Sequence, residues 1–120
     1  MITSFRDLQV YQESYDLAII VNHETHKLPL YEKHDLGPQL RRASKSPPAN
    51  IAEGWAKRRF PNEFKHHLDV ALGSCNEMEV HLAIARDLGY LDKTFCDGLI
   101  QRYRFFGGKL VNLRNNWKSS

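Results

Sequence analysis

The third quarter of the chain carries an apolar repeat that dictates an α-helix. Its members recur at alternating intervals of four and three residues, which places all of them on one face of a helix. A strand would need apolar residues at every second position, and this segment lacks that pattern. The repeat therefore predicts a long amphipathic helix that packs against apolar partners. It consists of Phe64, Leu68, Ala71, Cys75, Met78, Leu82 and Ala85.

Three more segments show the same helical spacing, at residues 8–25, 36–54 and 99–117. Gly89 is placed to end the third helix, because a residue without a Cβ readily adopts the left-handed conformation. Asp92 is placed to cap the start of the fourth helix. The sequence has no sustained alternation with a period of two and no hairpin turn between apolar runs. These patterns predict four helices and no sheet.

Short connections predict how the four helices are arranged. The links at residues 28–32, 58–63 and 89–92 are short, so successive helices should be antiparallel neighbours. A chain of 120 residues is long enough to bury one core. We therefore predict an all-α fold, an antiparallel up-down-up-down four-helix bundle that forms a single domain over residues 1–120.

Two adjacent prolines interrupt the second helical segment. Pro47 and Pro48 would leave the carbonyls of Ala43 and Ser44 without their helical donors, and each proline disfavours helical geometry in the residue before it. Ser46 followed by a proline also resembles a helix start, with a hydroxyl cap and a fixed φ. We therefore predict that the second helix is kinked or split at the two prolines.

The positions after the prolines carry an amide and a glycine on the core-facing seam. Asn50 needs hydrogen-bond partners there, and we expect it to reach the carbonyls that the prolines release. Gly54 predicts a close approach between helix backbones, and so do Gly73 and Ser74 in the third helix.

Charge alternates in sign along the chain. Residues 1–40 hold three basic and six acidic residues, and residues 41–67 hold seven and two. Residues 68–97 hold two and six, and residues 98–120 hold five basic residues and no acid. This alternation indicates that each segment complements its neighbours, while the two basic segments offer a surface to an anionic partner.

The remaining features exclude other classes of protein. The first residues lack a basic stretch followed by an apolar one, and no stretch approaches the roughly 18 uncharged residues of a membrane span. Cys75 and Cys96 are too few for a disulfide framework, so we expect two reduced thiols in apolar positions. We expect a soluble, cytoplasmic protein.

Several stretches resemble one bacterial family. They are FRDLQVYQESYDLA near the start, QLRRAS at 39–44, NIAEGWAKR at 50–58, EF at 63–64 and ALGSCNEMEVHLAIARDLGYL at 71–91. In this order and spacing, along most of the chain, they resemble the four-helix-bundle family of the 23S rRNA intervening-sequence proteins. The sequence departs from the family pattern at Pro47, where Ile or Val is usual, and this bears on the continuity of the second helix.

The resemblance implies an antiparallel four-helix bundle that assembles as a homopentamer, and it carries over no enzymatic activity. Family members are encoded in insertions within ribosomal RNA genes, and the related accessory proteins of diversity-generating retroelements bind RNA and a reverse transcriptase. On this chain the family's motif positions, which we expect to pack and interlock the second and third helices, are Asn50, Glu53, Gly54, Gly73, Ser74 and Glu77.

The basic segment at residues 41–67 favours an association with nucleic acid, RNA or DNA. Basic side chains neutralise backbone phosphates, and a ring of protomers would turn a weak patch into an avid one. Trp55 and Phe60 lie in this segment, where they either stack on bases or close the end of the bundle. The predicted phosphate-binding residues are Arg41, Arg42, Lys45, Lys57, Arg58, Arg59 and Lys65.

The same charges permit a second interpretation. They would then only offset the acidic segments or specify subunit register, and the chain would be a protein-interaction scaffold that binds no nucleic acid. Its partners would be copies of itself and a protein encoded nearby. The two interpretations differ in salt dependence, because phosphate contacts weaken steeply with salt and apolar interfaces do not.

Catalytic interpretations fit the sequence less well. A di-metal carboxylate bundle needs Glu-x-x-His on two helices, and Glu63 with His66 supplies one copy without a second. Cys75 lies on the core seam with no histidine in register, which disfavours a nucleophile. Gly107 and Gly108 lack the spacing of a phosphate-binding loop. We therefore expect no enzyme, no catalytic residue, no metal and no cofactor.

Overall fold

The computed structural model describes residues 1–118 and shows four α-helices joined by short links. The helices are α1 at Gln9–Glu24, α2 at Leu36–Ala56, α3 at Pro61–Asp87 and α4 at Lys93–Asn116. Short 3-10 turns at Phe5–Asp7, Thr25–Lys27 and Leu30–Glu32 flank α1 and lead into α2. No strand occurs within residues 1–118.

The helices pack side by side in chain order. α2 packs against both α1 and α3, and α3 also packs against α4, whereas α1 and α4 touch only lightly. The bundle measures 48 × 23 × 21 Å, and its long axis fits α3, whose 27 residues extend about 40 Å at 1.5 Å per residue. The predicted all-α four-helix bundle is confirmed.

One apolar core runs along the bundle, and the predicted repeat of α3 lies at its centre. All seven members of that repeat are at most 1% exposed. The other helices contribute Leu17 from α1, Leu40 and Ile51 from α2, and Tyr103 and Phe106 from α4. The repeat predicted the core correctly because residues at intervals of three and four share one face of a helix.

The link between α3 and α4 forms as predicted. Gly89 has a φ of 75°, and the backbone N–H of Tyr90 donates to the carbonyl of Ala85 over 2.8 Å, which closes the last turn of α3. Asp92 caps α4, because its carboxylate accepts a hydrogen bond of 2.9 Å from the backbone N–H of Phe95. These two signals are local, so they do not depend on the rest of the fold.

Of the two predicted alternatives, a kinked or a split second helix, the split is wrong. α2 runs through Pro47 and Pro48 as one helix of 21 residues. Both prolines are buried, so the packing of α2 in the bundle compensates for the hydrogen bonds that they remove. Ser46 therefore lies inside a helix and caps nothing. Its hydroxyl instead accepts a hydrogen bond of 2.7 Å from the hydroxyl of Ser74 on α3.

Candidate nucleic-acid interface

The seven predicted phosphate-binding residues lie in two groups instead of one patch. The helical rise of 1.5 Å per residue puts about 18 Å of α2 between Lys45 and Lys57. The first group lies on the first half of α2 and consists of Arg41, Arg42 and Lys45. The second group surrounds the link between α2 and α3; we call it the basic end, and it consists of Lys57, Arg58, Arg59 and Lys65.

Arg41 differs from the other members of the first group. Its guanidinium Nη1 lies 3.4 Å from the hydroxyl of Thr25 at the end of α1, and the residue is only half-buried. Gly37 makes room for it, since a Cβ at Gly37 would lie 3.0 Å from that Nη1 atom. Arg41 therefore helps to hold α1 against α2, whereas Arg42 and Lys45 are exposed.

None of the seven basic residues pairs with an acidic side chain within residues 1–118. The basic residues of α4 behave differently, because three of them reach acids on α3 or α1. The pairs are Arg104 with Glu79 at 2.8 Å, Lys109 with Glu13 at 2.9 Å, and Arg114 with Asp69 at 2.6 Å. The C-terminal basic segment is thus largely compensated inside the bundle, and the segment at residues 41–67 is not.

An aromatic cluster closes the bundle beneath the basic end. The rings of Trp55, Phe64 and Trp117 pack edge to face, with centroids 4.5–6.4 Å apart. Arg58 lies over the Trp55 ring at 4.4 Å and donates a hydrogen bond of 3.0 Å to its carbonyl. The indole N–H of Trp117 donates to the carbonyl of Arg58 over 3.2 Å. Of the two roles considered for Trp55, the structure supports closure of the bundle.

Phe60 remains exposed at the same end. About half of its surface, 52%, is accessible, and the guanidinium of Arg59 lies 4.8 Å from the centre of its ring. Phe60 lines a shallow hollow of about 390 Å³ together with Lys57 and Glu63. The basic end therefore combines unpaired cations with one aromatic ring that the core does not use.

A buried histidine holds Lys57 in place. His67 is 8% exposed, its Nε2 lies 3.2 Å from Nζ of Lys57, and its Nδ1 lies 3.1 Å from Oδ1 of Asn50. A lysine ammonium can only donate, so Nε2 is the acceptor and Nδ1 carries the proton that is donated to the amide. The contact with His67 thus positions the ammonium group of Lys57.

Asn50 extends this polar chain along the interface between α2 and α3. Its amide Nδ2 donates to the carbonyl and the hydroxyl of Ser46, over 3.0 and 3.1 Å. The expected bonds to the carbonyls of Ala43 and Ser44 do not form, because a side chain on a helix reaches back about one turn and these carbonyls lie further away. The prediction of the partners of Asn50 is therefore wrong, although its polar role between the helices is observed.

The two glycines of the motif have different surroundings. A Cβ at Gly54 would lie 2.8 Å from Cβ of His67 and 3.0 Å from Cδ1 of Phe64, so α2 and α3 approach closely here. Gly73 has open space where a Cβ would stand. The close approach predicted at Gly73 is therefore absent within residues 1–118, because this residue faces away from the other three helices.

The remaining motif positions divide in the same way. Ser74 connects α3 to α2 through its bond to Ser46, and Glu53 lies 3.6 Å from Nδ1 of His67. Glu77 lies 3.5 Å from His81, one turn further along the same helix. It therefore does not interlock two helices, and that part of the expectation is wrong.

Among the exposed apolar side chains of residues 1–118, two sets form continuous surfaces on the bundle. A groove of about 510 Å³ runs between α1 and α2, with Tyr11, Tyr15 and Ile19 on one side and Lys45, Pro48 and Ala49 on the other. We call it the α1–α2 groove. The outer face of α3 carries what we call the α3 ridge, formed by Val70, Val80 and Ile84, which are 39%, 56% and 41% exposed.

Both cysteines are free and buried, as the sequence predicted. Burial raises the pKa of the Cys75 thiol to about 12 and that of Cys96 to about 11. Within residues 1–118, no three histidine, cysteine or acidic side chains are arranged to hold a metal ion. None of the helices described is long and apolar enough to cross a membrane.

Sequence reasoning missed His67 and Trp117 as parts of this end of the bundle. No role between the helices was predicted for His67, whose ring is buried between Lys57 and Asn50. Its position, three residues after Phe64 and one before Leu68, lies next to the apolar repeat and was an available signal. Trp117 ends the apolar spacing predicted at residues 99–117, but its hydrogen bond to a carbonyl 59 residues away could not be predicted from the sequence.

A comparison with known protein families covers most of the chain. A family model described as 23S rRNA-intervening sequence protein matches residues 6–112 of the chain. The matched region runs from the turn before α1 to the last turns of α4, so it includes the basic end, the α1–α2 groove and the α3 ridge. No curated protein matches the chain.

Proposed function

The chain belongs to the family of 23S rRNA-intervening sequence proteins, and from this we propose that it is a non-enzymatic, self-assembling bundle that binds RNA at its basic end. One observation carries the proposal. The cations of residues 41–67 have no acidic partner within residues 1–118, whereas three cations of α4 are paired. A cluster of unpaired cations on a rigid helix end suits backbone phosphates, which attract them without regard to base sequence.

The geometry of the basic end supports this proposal. Arg58 is fixed by the Trp55 ring and carbonyl, and Lys57 is fixed by His67, so neither side chain needs to be ordered when a phosphate binds. Side chains that are ordered beforehand lose less conformational entropy on binding. RNA and DNA share this phosphate chemistry, and the family description favours RNA.

Self-assembly is the second part of the proposal. Further copies of the chain would cover both the α1–α2 groove and the α3 ridge. The α3 ridge of one copy would lie in the α1–α2 groove of the next, as a helix lies in a groove. The charges are complementary, because Lys45 lines the groove while Glu77 lies between the ridge residues and Gly73 leaves room beside them. Such a contact joins two different faces, so its repetition builds a ring when the rotation between neighbouring copies closes. The family resemblance implies a ring of five.

The experiment that tests RNA binding is a salt series. We would measure fluorescence anisotropy of a labelled structured RNA against the protein and against a variant with Lys57, Arg58 and Arg59 all changed to Glu. The wild-type affinity should fall linearly with the logarithm of salt concentration, and the variant should lose binding at every salt concentration.

A matched control carries the same change in net charge elsewhere on the bundle. Lys27, Lys93 and Arg102 are exposed and distant from the basic end, and changing all three to Glu should weaken binding only slightly. Equal loss in both triple variants would show that only net charge matters. Unchanged binding after reversal of the basic end would refute the assignment of this surface.

The α1–α2 groove also favours a second candidate function, a protein-interaction scaffold that binds no nucleic acid. In that case the groove and the ridge would bind protein partners, and RNA would not bind even at low salt. The same salt series distinguishes the two functions, since an apolar interface depends little on salt. We propose cytoplasmic function in either case, in keeping with two free, buried cysteines.

A further inference from the structure

The hollow beside the basic end has an acceptor that the rest of the protein does not use. Glu63 lies in the first turn of α3, where a negative charge suits the helix dipole. Its carboxylate makes no hydrogen bond and no ion pair within the described part of the chain, although Lys57 lines the same hollow. A carboxylate only accepts hydrogen bonds, so a ligand that satisfies it must bring a donor.

Phe60 gives this hollow a surface for a flat ligand. The ring is 52% exposed, and the guanidinium of Arg59 lies against it at 4.8 Å from its centre. Aromatic side chains in basic surroundings bind unpaired bases by stacking on them. The volume of about 390 Å³ falls in the range of small-ligand sites, which is roughly 300–1,000 Å³.

Lys57 completes the set of groups that a nucleotide needs. Its ammonium is held by His67 at 3.2 Å on one side and borders the hollow on the other. It can therefore contact a phosphate that flanks a stacked base. In a bound nucleotide, the base would then lie against the Phe60 ring and its amino group against the Glu63 carboxylate. Its phosphate would lie against the ammonium of Lys57.

We propose that the hollow lined by Lys57, Phe60 and Glu63 binds one unpaired nucleobase that carries an exocyclic amino group. The amino group donates to the Glu63 carboxylate, as the amino group of cytosine does when it pairs with an acidic side chain. Uracil has a carbonyl oxygen at the same position, which the carboxylate repels. This inference rests on the proposed RNA binding and adds a preference among bases to it.

The test compares two single-stranded RNA hexamers of equal charge, one of cytidine and one of uridine. Their affinities for the wild-type protein are measured by fluorescence anisotropy at pH 8 and low salt. We expect the cytidine hexamer to bind about ten times more tightly, the effect of one good contact to a base edge. Glu63→Gln should remove this preference and leave the uridine affinity unchanged or higher, because the amide both donates and accepts.

Two further variants make the result specific. Phe60→Ala should weaken both hexamers, since stacking does not depend on the base. Asp87→Asn removes a charge from the same helix, but about 36 Å further along it, and should leave the preference intact. A preference that survives in Glu63→Gln overturns the role of Glu63.

The inference and the proposed function fail in different ways. Equal binding of both hexamers to the wild-type protein, with a steep dependence on salt, overturns the base preference and leaves RNA binding at the basic end standing. Absence of binding to the hexamers and to a structured RNA at low salt overturns both.

Discussion

At the scale of single residues, Gly54 is a position where the packing of α2 on α3 leaves no room for a side chain. A Cβ there would meet Cβ of His67 at 2.8 Å, an atom fixed to the backbone, so the helices would have to move apart. Overpacking of this kind costs about 1–3 kcal/mol, and alanine returns up to about 1 kcal/mol of helix propensity. Gly54→Ala should therefore lower the free energy of unfolding by about 1–2 kcal/mol, measured by urea denaturation at fixed protein concentration.

Gly98 supplies the control for this prediction. It lies inside α4, is exposed, and has nothing within contact distance of an added Cβ. Gly98→Ala should raise the free energy of unfolding by about 0.5–1 kcal/mol, because only helix propensity changes. If Gly54→Ala also proves stabilising, the close approach of α2 and α3 at this point is wrong.

The two thiols give a second prediction at this scale. Burial raises the pKa of Cys75 to about 12 and of Cys96 to about 11, and both side chains are at most 1% exposed. A thiol with a raised pKa holds almost no thiolate near neutral pH, and a buried one cannot meet a reagent. Iodoacetamide at pH 8 should leave the native protein unmodified and add two groups in concentrated urea, as counted by mass spectrometry. Modification of the native protein would contradict this burial.

Single residues also show what the sequence could and could not predict. Gly89 and Asp92 were predicted correctly because their roles depend on bonds to residues only a few positions away. The contacts of His67 were not, because they join helices that only the finished fold brings together. The unpaired state of the basic end is of the same kind, since charge counts along the chain do not say which acids lie within reach.

At the scale of elements, α2 shows tertiary packing overriding local preference. The sequence rules for proline correctly indicated that two helical donors are missing, but they could not include the burial of both rings in the bundle. The periodicity of the segment continues through the prolines, with Ala43, Pro47, Ile51 and Gly54 all buried. The spacing of the apolar residues therefore predicted the continuity of α2 better than the proline rules did, because it reflects the packing of α2 in the core.

Replacing the prolines measures this balance. Pro48→Ala restores a donor for the carbonyl of Ser44. Replacing an interior proline by alanine should stabilise the helix by about 3 kcal/mol. The substitution also removes some buried apolar contact and raises the entropy of the unfolded chain. Together these two effects should lower the free energy of unfolding by about 2 kcal/mol. The variant should therefore be about 1 kcal/mol more stable than the wild type in urea.

Pro47 provides the comparison, because its side chain is completely buried and loses more contact on truncation. Pro47→Ala should gain less stability than Pro48→Ala or none. A loss of stability in Pro48→Ala beyond about 1 kcal/mol would mean that the ring is required for the shape of α2 and not merely tolerated.

At the scale of the whole molecule, the two basic segments of the sequence differ in how far their charges are paired with acids. α4 pairs its cations with acids of α1 and α3, and the pair of Lys109 with Glu13 joins α4 to α1, two helices that otherwise touch little. α2 leaves its cations free, and its two ends differ, since Arg41 binds Thr25 while the basic end faces outward. The sequence offered both basic segments to an anionic partner and favoured residues 41–67, and the three-dimensional arrangement of acids distinguishes the two segments in the same way.

The α3 ridge should link assembly of the protein to its affinity for RNA. Val80 is 56% exposed at the middle of the α3 ridge, so Val80→Glu should leave the protomer folded while placing a charge in the proposed contact with the α1–α2 groove. Light scattering should then show a smaller particle than the wild type. RNA affinity should fall by a factor of about 100 or more, because linked sites bind far more tightly than single ones. Val111→Glu on α4, where Val111 is 36% exposed, should change neither quantity. If Val80→Glu lowers the mass but keeps the affinity, each basic end acts alone, and the ring serves a purpose other than avidity.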